Sequence, residues 1–508
     1  MKAHLHLSRG LPGSILVDGE VTAAEALRLF RERGEGMLPA LRGSFALAAW
    51  EESSRSLLLA RDAFGGRPLF YCIRGPEIWF GTEVPRGAPL GQIDRGALSD
   101  FLELGYVPAP ASVWSGVSKL AAGHLLRFGE KGAEMRRWSD LPAPGGSSRK
   151  PSRIAVRARL EQAVARRLEG RPAALLSGGL ESSALVALMT RLSGKVRTYT
   201  TGTGEDLEAA RRIAARFRTE HHELPQAERP LEELPHLIAS AAEPFGDPAL
   251  APLAALLRQV PGPVITGDGA DELFAGHPRH LHAARIPRLS RTARAADFLR
   301  RVAPARHRGT LQRAAGALGS TGAERARAFV EVFSLDERRL LLGGEARIAR
   351  GAASADLRGA DASLAFDLEV SLPEDVLFRL NLARGTLETR TPYADVDLAK
   401  VVVPPLARHK FGRIHGRRLL REAVADLLPR DVLMQPARTL EPPLGAWLRG
   451  PLRQMLGDLV RTPTARIRVL LDPRGIDQVL ANALRPRGNP RKAWALLCLE
   501  LWARESRG

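Results

Sequence analysis

Cysteine is nearly absent from this 508-residue chain, with Cys72 and Cys498 the only two. They are too few and too far apart for a disulfide framework or a metal site, so a reducing cytosol is the expected setting. Long apolar runs are missing too. Nothing approaches the roughly 20 apolar residues of a membrane span, and Met1 to Pro12 hold no signal-like apolar core, so the expectation is a cytoplasmic protein with no membrane partner. Acidic residues are in deficit, 56 Asp plus Glu against 75 Lys plus Arg, giving a formal charge of +19. Such an excess concerns solubility and partners rather than fold. Arginine crowds a helical pattern at about 278–328, including Arg279, Arg285, Arg288 and Arg291. Without the interleaved aromatics that stack bases, this stretch reads as a solvated helical insertion, and nucleic acid is not the expected partner.

What is present is organised around Leu175 to Ala184, Leu-Leu-Ser-Gly-Gly-Leu-Glu-Ser-Ser-Ala. An apolar run, Ala173 to Leu176, enters Ser177, Gly178 and Gly179 and then a helical pattern carrying Leu185, Val186, Leu188 and Met189. Adjacent glycines allow a tight turn and close approach of a ligand. A helix N-terminus adds unpaired N–H donors and a positive dipole end, a combination that suits phosphate. The spacing is not Gly-x-x-x-x-Gly-Lys-Ser/Thr, which excludes a Walker-type loop. Taken alone, the segment also reads as a plain turn between strand and helix.

Around it the chain alternates helix and strand: a helix from about Ser152 to Glu169, a strand Val196 to Thr201, a helix near Leu207 to Phe217, a strand near His221 to Leu224, and another opening at Pro263. Alternation of this kind predicts a doubly wound parallel sheet with ligands at the C-terminal ends of its strands. The Pro263 strand ends in Thr266-Gly-Asp-Gly-Ala-Asp-Glu272, which puts two or three carboxylates at the same sheet edge as the phosphate loop. Carboxylates beside a polyphosphate suit Mg²⁺, although a helix-capping turn accounts for the same residues without a ligand.

Ahead of this α/β region, strand-like Ser14 to Val17, helical Ala23 to Arg33, and strand-like Gly43 to Trp50, Leu57 to Arg61 and Pro68 to Cys72 predict a small α+β front domain. Leu141 to Pro151 is rich in Pro, Gly and Ser and reads as a linker. The expected organisation is therefore a front domain at 1–140, a linker at 141–152 and an α/β domain with a helical C-terminal part at 153–508.

Particular motifs resemble the asparagine synthetase family. Leu41 to Trp50 and Leu58 to Tyr71 look like its class II glutamine amidotransferase domain, an Ntn-type sandwich. Ser-Gly-Gly-x-acid-Ser followed by Gly267-Asp-Gly-Ala-Asp-Glu-Leu-Phe274 is similar to its ATP-pyrophosphatase (PP-loop) domain and to that of the β-lactam synthetases and lasso-peptide cyclases. Leu372 to Leu377, Leu387 to Asp395 and Gly416 to Arg421 look like further family segments. The resemblance implies ATP and Mg²⁺ as cofactors and adenylation of a small-molecule or peptide carboxylate, followed by attack of ammonia or a substrate amine; a precursor peptide or pathway partner fits the same chemistry. It implies that Ser177, Gly178, Gly179, Ser182 and Ser183 hold pyrophosphate and that Leu175, Thr201, Thr266 and Gly267 flank the nucleotide. Glu181 and Asp271 fall where the family binds metal, and Asp268 where an acid stands near the reacting amine.

The chain departs from the family in four places. Glu181 replaces an aspartate. The lysine of a late Arg-Pro-Lys segment reads as Ala437, with Arg438 next to it as a substitute. A Ser-Met segment is absent from Asn381 to Thr386. Position 2 is Lys2 where the glutaminase needs a cysteine nucleophile. The expectation is an amide-forming ligase that does not hydrolyse glutamine, built on a remnant front domain. A nucleotide-binding scaffold without catalysis is the alternative, and a tRNA-modifying relative a more distant one.

Overall fold

The computed structural model describes residues 5–7, 15–202, 204–224, 231–285, 322–347, 357, 359–412, 416–436, 442–485 and 488–505. Lys2, Ala437 and Arg438 lie outside the described residues, as does most of the arginine-rich stretch. Its two described ends, Pro278–Arg285 and Gly322–Val330, are helices.

Nine strands build the front domain among the described residues: β1 (Leu5–Leu7), β2 (Ile15–Gly19), β3 (Phe45–Glu51), β4 (Ser56–Arg61), β5 (Phe70–Arg74), β6 (Glu77–Gly81), β7 (Ser118–Lys119), β8 (His124–Gly129) and β9 (Gly132–Arg137). They form two antiparallel sheets, β2-β3-β4-β8-β9 and β1-β6-β5-β7. The alternation along β3 explains the layering. Phe45, Leu47 and Ala49 face one core with Ala26 and Leu29 of helix α1 (Ala23–Arg33), while Ala46 and Ala48 face the second sheet through Tyr71, Ile78 and Phe80. Thr22 caps α1, its side chain accepting from the Glu25 amide at 3.2 Å, and Gly34 ends it at φ 55°. A second helix, α2 (Arg95–Leu104), opens on Asp94, whose side chain accepts from the Ala97 amide. The cavity between the two sheets, lined by Leu16, Asp18, Ala48, Leu69 and Phe80, measures only about 50 Å³.

The expected linker holds no helix or named strand. It is pinned all the same, since the Ser147 amide donates to Pro404 O at 2.9 Å and Ser147 O accepts from the Leu406 amide at 3.0 Å.

Helix α3 (Arg153–Ala165), capped by Ser152, leads into a parallel sheet of β10 (Ala173–Leu175), β11 (Arg197–Thr200), β12 (Glu220–Glu223), β13 (Val264–Ile265) and β14 (Thr389–Arg390). Its order is β12-β11-β10-β13-β14, every pairing parallel. The chain moves from β10 outward to β12 and then returns to β10's other side, which makes the C-terminal end of β10 the topological switch point. Helix α4 (Leu180–Ser193) joins β10 to β11, and α5 (Glu205–Phe217) joins β11 to β12. Helices α6 (Leu234–Ala239) and α7 (Leu250–Leu257) precede β13, and α8 (Ala270–Phe274) follows it. The largest apolar core extends from α2 of the front domain to the last helix, Pro490–Glu505, so the domains share buried surface.

Charges fix that junction. Arg61, fully buried, donates to Arg67 O, Gly65 O and Leu120 O at 2.8–2.9 Å and to Glu374 at 2.8 Å. Lys119 reaches the same Glu374 at 3.1 Å and Glu243 at 2.6 Å. Arg67 donates to Asn381 at 2.6 Å, and Glu20 pairs with Arg167 at 2.9 Å. The Arg61-Asp-Ala-Phe-Gly-Gly-Arg67 motif is thus a docking element: Asp62 accepts from the Phe45 and Phe64 amides while the two arginines cross to the second domain.

Candidate active site

The switch point is where the Ser177–Gly179 turn lies. Leu175 ends β10, and the Leu176 amide still donates to Tyr199 O of β11 at 2.9 Å. Gly178 then turns at φ +73°, and a Cβ there would lie 2.5 Å from Ala209 C and 2.6 Å from Ala209 Cβ of α5. Both the backbone angle and the neighbouring helix therefore require glycine. Gly179 caps α4 with an ordinary φ of −75°, and a Cβ there would touch only side-chain ends at 3.4 Å. The Ser183 amide to Gly179 O, 3.0 Å, is a first turn bond, so the amides before it open toward the loop mouth. Ser177 and Ser182 hydroxyls lie 3.0 Å apart, and Ser182 Oγ accepts from the Ser177 amide at 3.2 Å. Ser183 is the exception in this set: it is fully buried and its Oγ has no partner.

The β13 turn meets this loop. A Cβ on Gly267 would touch Glu181 Cβ at 3.5 Å and the Ser182 amide at 3.8 Å, which places the two loops in contact. Thr266 is buried with its Oγ1 unpartnered, its amide donating to Arg390 O of β14 at 3.0 Å, and Thr201 follows the end of β11 on the other side. Thr201, Gly267 and Leu175 thus edge one mouth, with Ser177 exposed at it.

Glu181 in the first turn of α4 and Asp271 in the first turn of α8 converge. Both face Arg417, whose Nη1 touches Glu181 Oε1 and lies 3.7 Å from Asp271 Oδ1. Asp271 Oδ1 is buried without a hydrogen-bond partner. Burial lifts the Asp271 carboxyl to about 6 against the pull of His277. An orphaned, buried carboxylate oxygen beside a second carboxylate fits a divalent cation completed by phosphate and water oxygens. Among the described residues no group of three or more His, Cys, Asp or Glu converges as a metal cage. Asp268 stands apart from this pair and accepts from Arg379 Nη2 at 3.3 Å; the same guanidinium holds Asp247 at 2.6 Å. Burial and repulsion from Asp247 raise the nearby Asp375 to about 7.

Arg417, Arg379, Asp247 and Asp375 are site residues that sequence reading missed. The Leu372–Leu377 and Gly416–Arg421 segments were the available signal for two of them, Asp375 and Arg417. The Glu388–Asp395 segment plays a different part. Arg390 donates to Arg167 O at 2.7 Å, Asp395 caps the helix Val396–Val402 and pairs with Arg166 and Arg167, and Tyr393 Oη donates to Glu181 O at 3.0 Å. That segment holds the sheet edge and braces the loop from behind.

A parallel α/β domain whose two loops pool helix N-terminal amides, hydroxyls and paired acids at its switch point, joined to an antiparallel double-sheet domain, is the layout of a two-domain enzyme with a candidate nucleotide site. Residues 155–504 match the asparagine synthase family and residues 17–139 the glutamine amidotransferase domain. The chain belongs to the asparagine synthase family, and is by class an ATP-dependent carbon–nitrogen ligase. It is 27% identical to a Mycobacterium tuberculosis protein named as a putative glutamine-hydrolyzing asparagine synthetase, over 96% of this chain and 79% of that one. The glutamine-hydrolyzing asparagine synthetase 1 of Bacillus subtilis is 22% identical over 94% of this chain and 79% of its own. The carboxyethyl-arginine β-lactam synthase of Streptomyces clavuligerus is 30% identical over 54% of this chain and 55% of its own. Among the described residues no helix is long and apolar enough to cross a membrane.

Proposed function

We propose that this chain adenylates a substrate carboxylate with ATP, releasing pyrophosphate and then AMP as ammonia or a substrate amine takes the acyl group, and that it does so without hydrolysing glutamine. The observation that carries the reading is the convergence of the Ser177–Gly179 turn, the α4 N-terminus and the acids of the β13 turn at one sheet edge. In this reading the first-turn amides and the Ser177 and Ser182 hydroxyls hold pyrophosphate, a role that preformed donors perform without reorganising. Glu181 and Asp271 would hold Mg²⁺, which when bound offsets charge on the departing pyrophosphate. Asp268, held by Arg379, would take a proton from the incoming amine.

Glutamine independence is supported by the state of both thiols. Cys72 lies in β5 with Sγ 3.8 Å from Pro89 O, and burial raises its pKa; Cys498 is buried in the last helix and raised further. Neither is a poised nucleophile. The front domain then serves as structure, and the amine comes from solution or from the substrate itself, as in closure of a peptide macrolactam. The test is to supply ATP and a panel of aspartate, amino-acid derivatives and peptides with either glutamine or ammonia, measuring AMP and glutamate. AMP formation with ammonia or an internal amine, and no glutamate from glutamine, is expected; stoichiometric glutamate release would overturn the glutamine-independent reading. AMP from no substrate despite ATP binding would favour a scaffold, a reading to which the arginine between the two acids lends weight.

A further inference from the structure

The surroundings of Arg417 are built to keep its guanidinium between Glu181 and Asp271. Arg417 is only 2% exposed and adopts φ 60°, a left-handed backbone that non-glycine residues rarely take without being held there. Its amide donates to Phe274 O at 3.0 Å, tying it to the end of α8. Gly416 packs on the Ala275 carbonyl so closely that no side chain fits. Gly276 does the same against Asp271 Oδ1, with Arg417 Cδ 3.0 Å from where its Cβ would be. Two glycines and a strained arginine therefore press this segment onto the helix that carries Asp271. Arg417 Nε has no hydrogen-bond partner, and no other carboxylate is paired with its guanidinium among the described residues.

Formal charges show what this does. The trio of two carboxylates and one guanidinium carries a single net negative charge, where the two acids alone would carry two. A divalent cation entering by itself would make the trio net positive in a half-buried place, which is unfavourable. A triphosphate entering with the cation brings the compensating negative charge, and supplies oxygens that two carboxylates alone do not. We propose that Arg417 is the resident counter-cation of the Glu181–Asp271 pair, so that the chain takes up a divalent metal at this site only together with the nucleotide's phosphates. The inference rests on reading those two acids as the metal-binding pair. It makes Arg417 a positioning residue that sets the order in which metal and nucleotide are bound.

Mn²⁺ standing in for Mg²⁺, followed by electron paramagnetic resonance on the full chain, tests it without turnover. The wild-type chain should bind Mn²⁺ at least tenfold more weakly alone than with α,β-methylene ATP, after allowance for Mn²⁺ held by free nucleotide. Arg417→Met should tighten nucleotide-free Mn²⁺ binding at least tenfold, about 1.4 kcal/mol, and adding Glu181→Gln should remove the gain. Arg417→Lys, which keeps a cation and guards against a Met variant that fails to fold, should stay within a few-fold of wild type. Equal wild-type affinity with and without nucleotide, or no gain in Arg417→Met, would overturn the proposal. Because the readout needs no reaction, a chain that shows the gain but makes no AMP retains this inference and loses the ligase reading, and the converse holds as well.

Discussion

Glu374 of the α/β domain lies 2.8 Å from Arg61 of the front domain, both side chains almost wholly buried, with Lys119 at 3.1 Å on its other side. Burial pushes the Glu374 carboxyl up, but Lys119 and Arg61 outweigh it and hold it below the usual range. Glu374 sits in the π-helical stretch Asp367–Val376, one residue before Asp375 and five before Arg379. The front domain is thereby fastened to a wall of the candidate site. Removing one member of a buried charge cluster strands the others, so Glu374→Gln should cost about 3 kcal/mol or more in urea unfolding. A change below about 0.5 kcal/mol, within the range of ordinary surface substitutions, would show that the junction does not depend on it.

The two glycines of the loop should respond differently. Gly178→Ala collides with the α5 backbone from a left-handed φ, whereas Gly179→Ala meets only side-chain ends at 3.4 Å. ATP binding followed by calorimetry should fall at least tenfold for Gly178→Ala, about 1.4 kcal/mol or more, and only a few-fold for Gly179→Ala. Equal losses in both would mean that the turn is not held by α5.

If Asp268 handles the amine rather than the phosphates, its loss should separate the two half-reactions. Asp268→Asn should leave carboxylate-dependent adenylation within about tenfold of wild type while amide formation falls on the order of 10²-fold or more. Loss of both in parallel would assign Asp268 to nucleotide binding instead.

Lys410 offers a pH signature away from the site. It is fully buried, its Nζ donating to Val403 O at 2.8 Å, and burial lowers its pKa from 10.5 to about 7 against the pull of Asp361. Below pH 7 the folded chain carries the whole penalty of a buried ammonium. From about 7 to 10.5 the unfolded chain binds more protons, so wild-type stability gains as pH rises. Lys410→Met should therefore stabilise the protein by on the order of a few kcal/mol at pH 6, with the advantage shrinking toward pH 10 in urea titrations. Parallel wild-type and variant curves across that range would contradict the assignment.

Much of this was legible in the chain because the signals were local. The span of α1, Ala23–Arg33, follows from its helical pattern, and the β10–α4 turn from two glycines between an apolar run and a helical one. The parallel sheet follows from strand and helix alternation, which also put the Glu181 and Asp271 loops on one edge. Arg417 and Arg379 were not legible as site residues. Arg379 sits in a helix whose periodicity looks like any other and Arg417 in a left-handed turn just ahead of one, and each meets its carboxylates through tertiary packing that local spacing does not specify. Asp395 shows the reverse case: a motif residue whose place in the structure is a helix cap and an ion pair with Arg166 and Arg167 rather than the loop mouth.

The most direct test of the account is carboxylate-dependent exchange of labelled pyrophosphate into ATP, run on the wild-type chain and on Asp271→Asn. Exchange should require both Mg²⁺ and one member of a panel of aspartate, peptides and amino-acid derivatives, and should fall at least 10²-fold in Asp271→Asn, about 2.7 kcal/mol. Undiminished exchange in Asp271→Asn, or no exchange with any carboxylate by a wild-type chain that binds ATP, would contradict it.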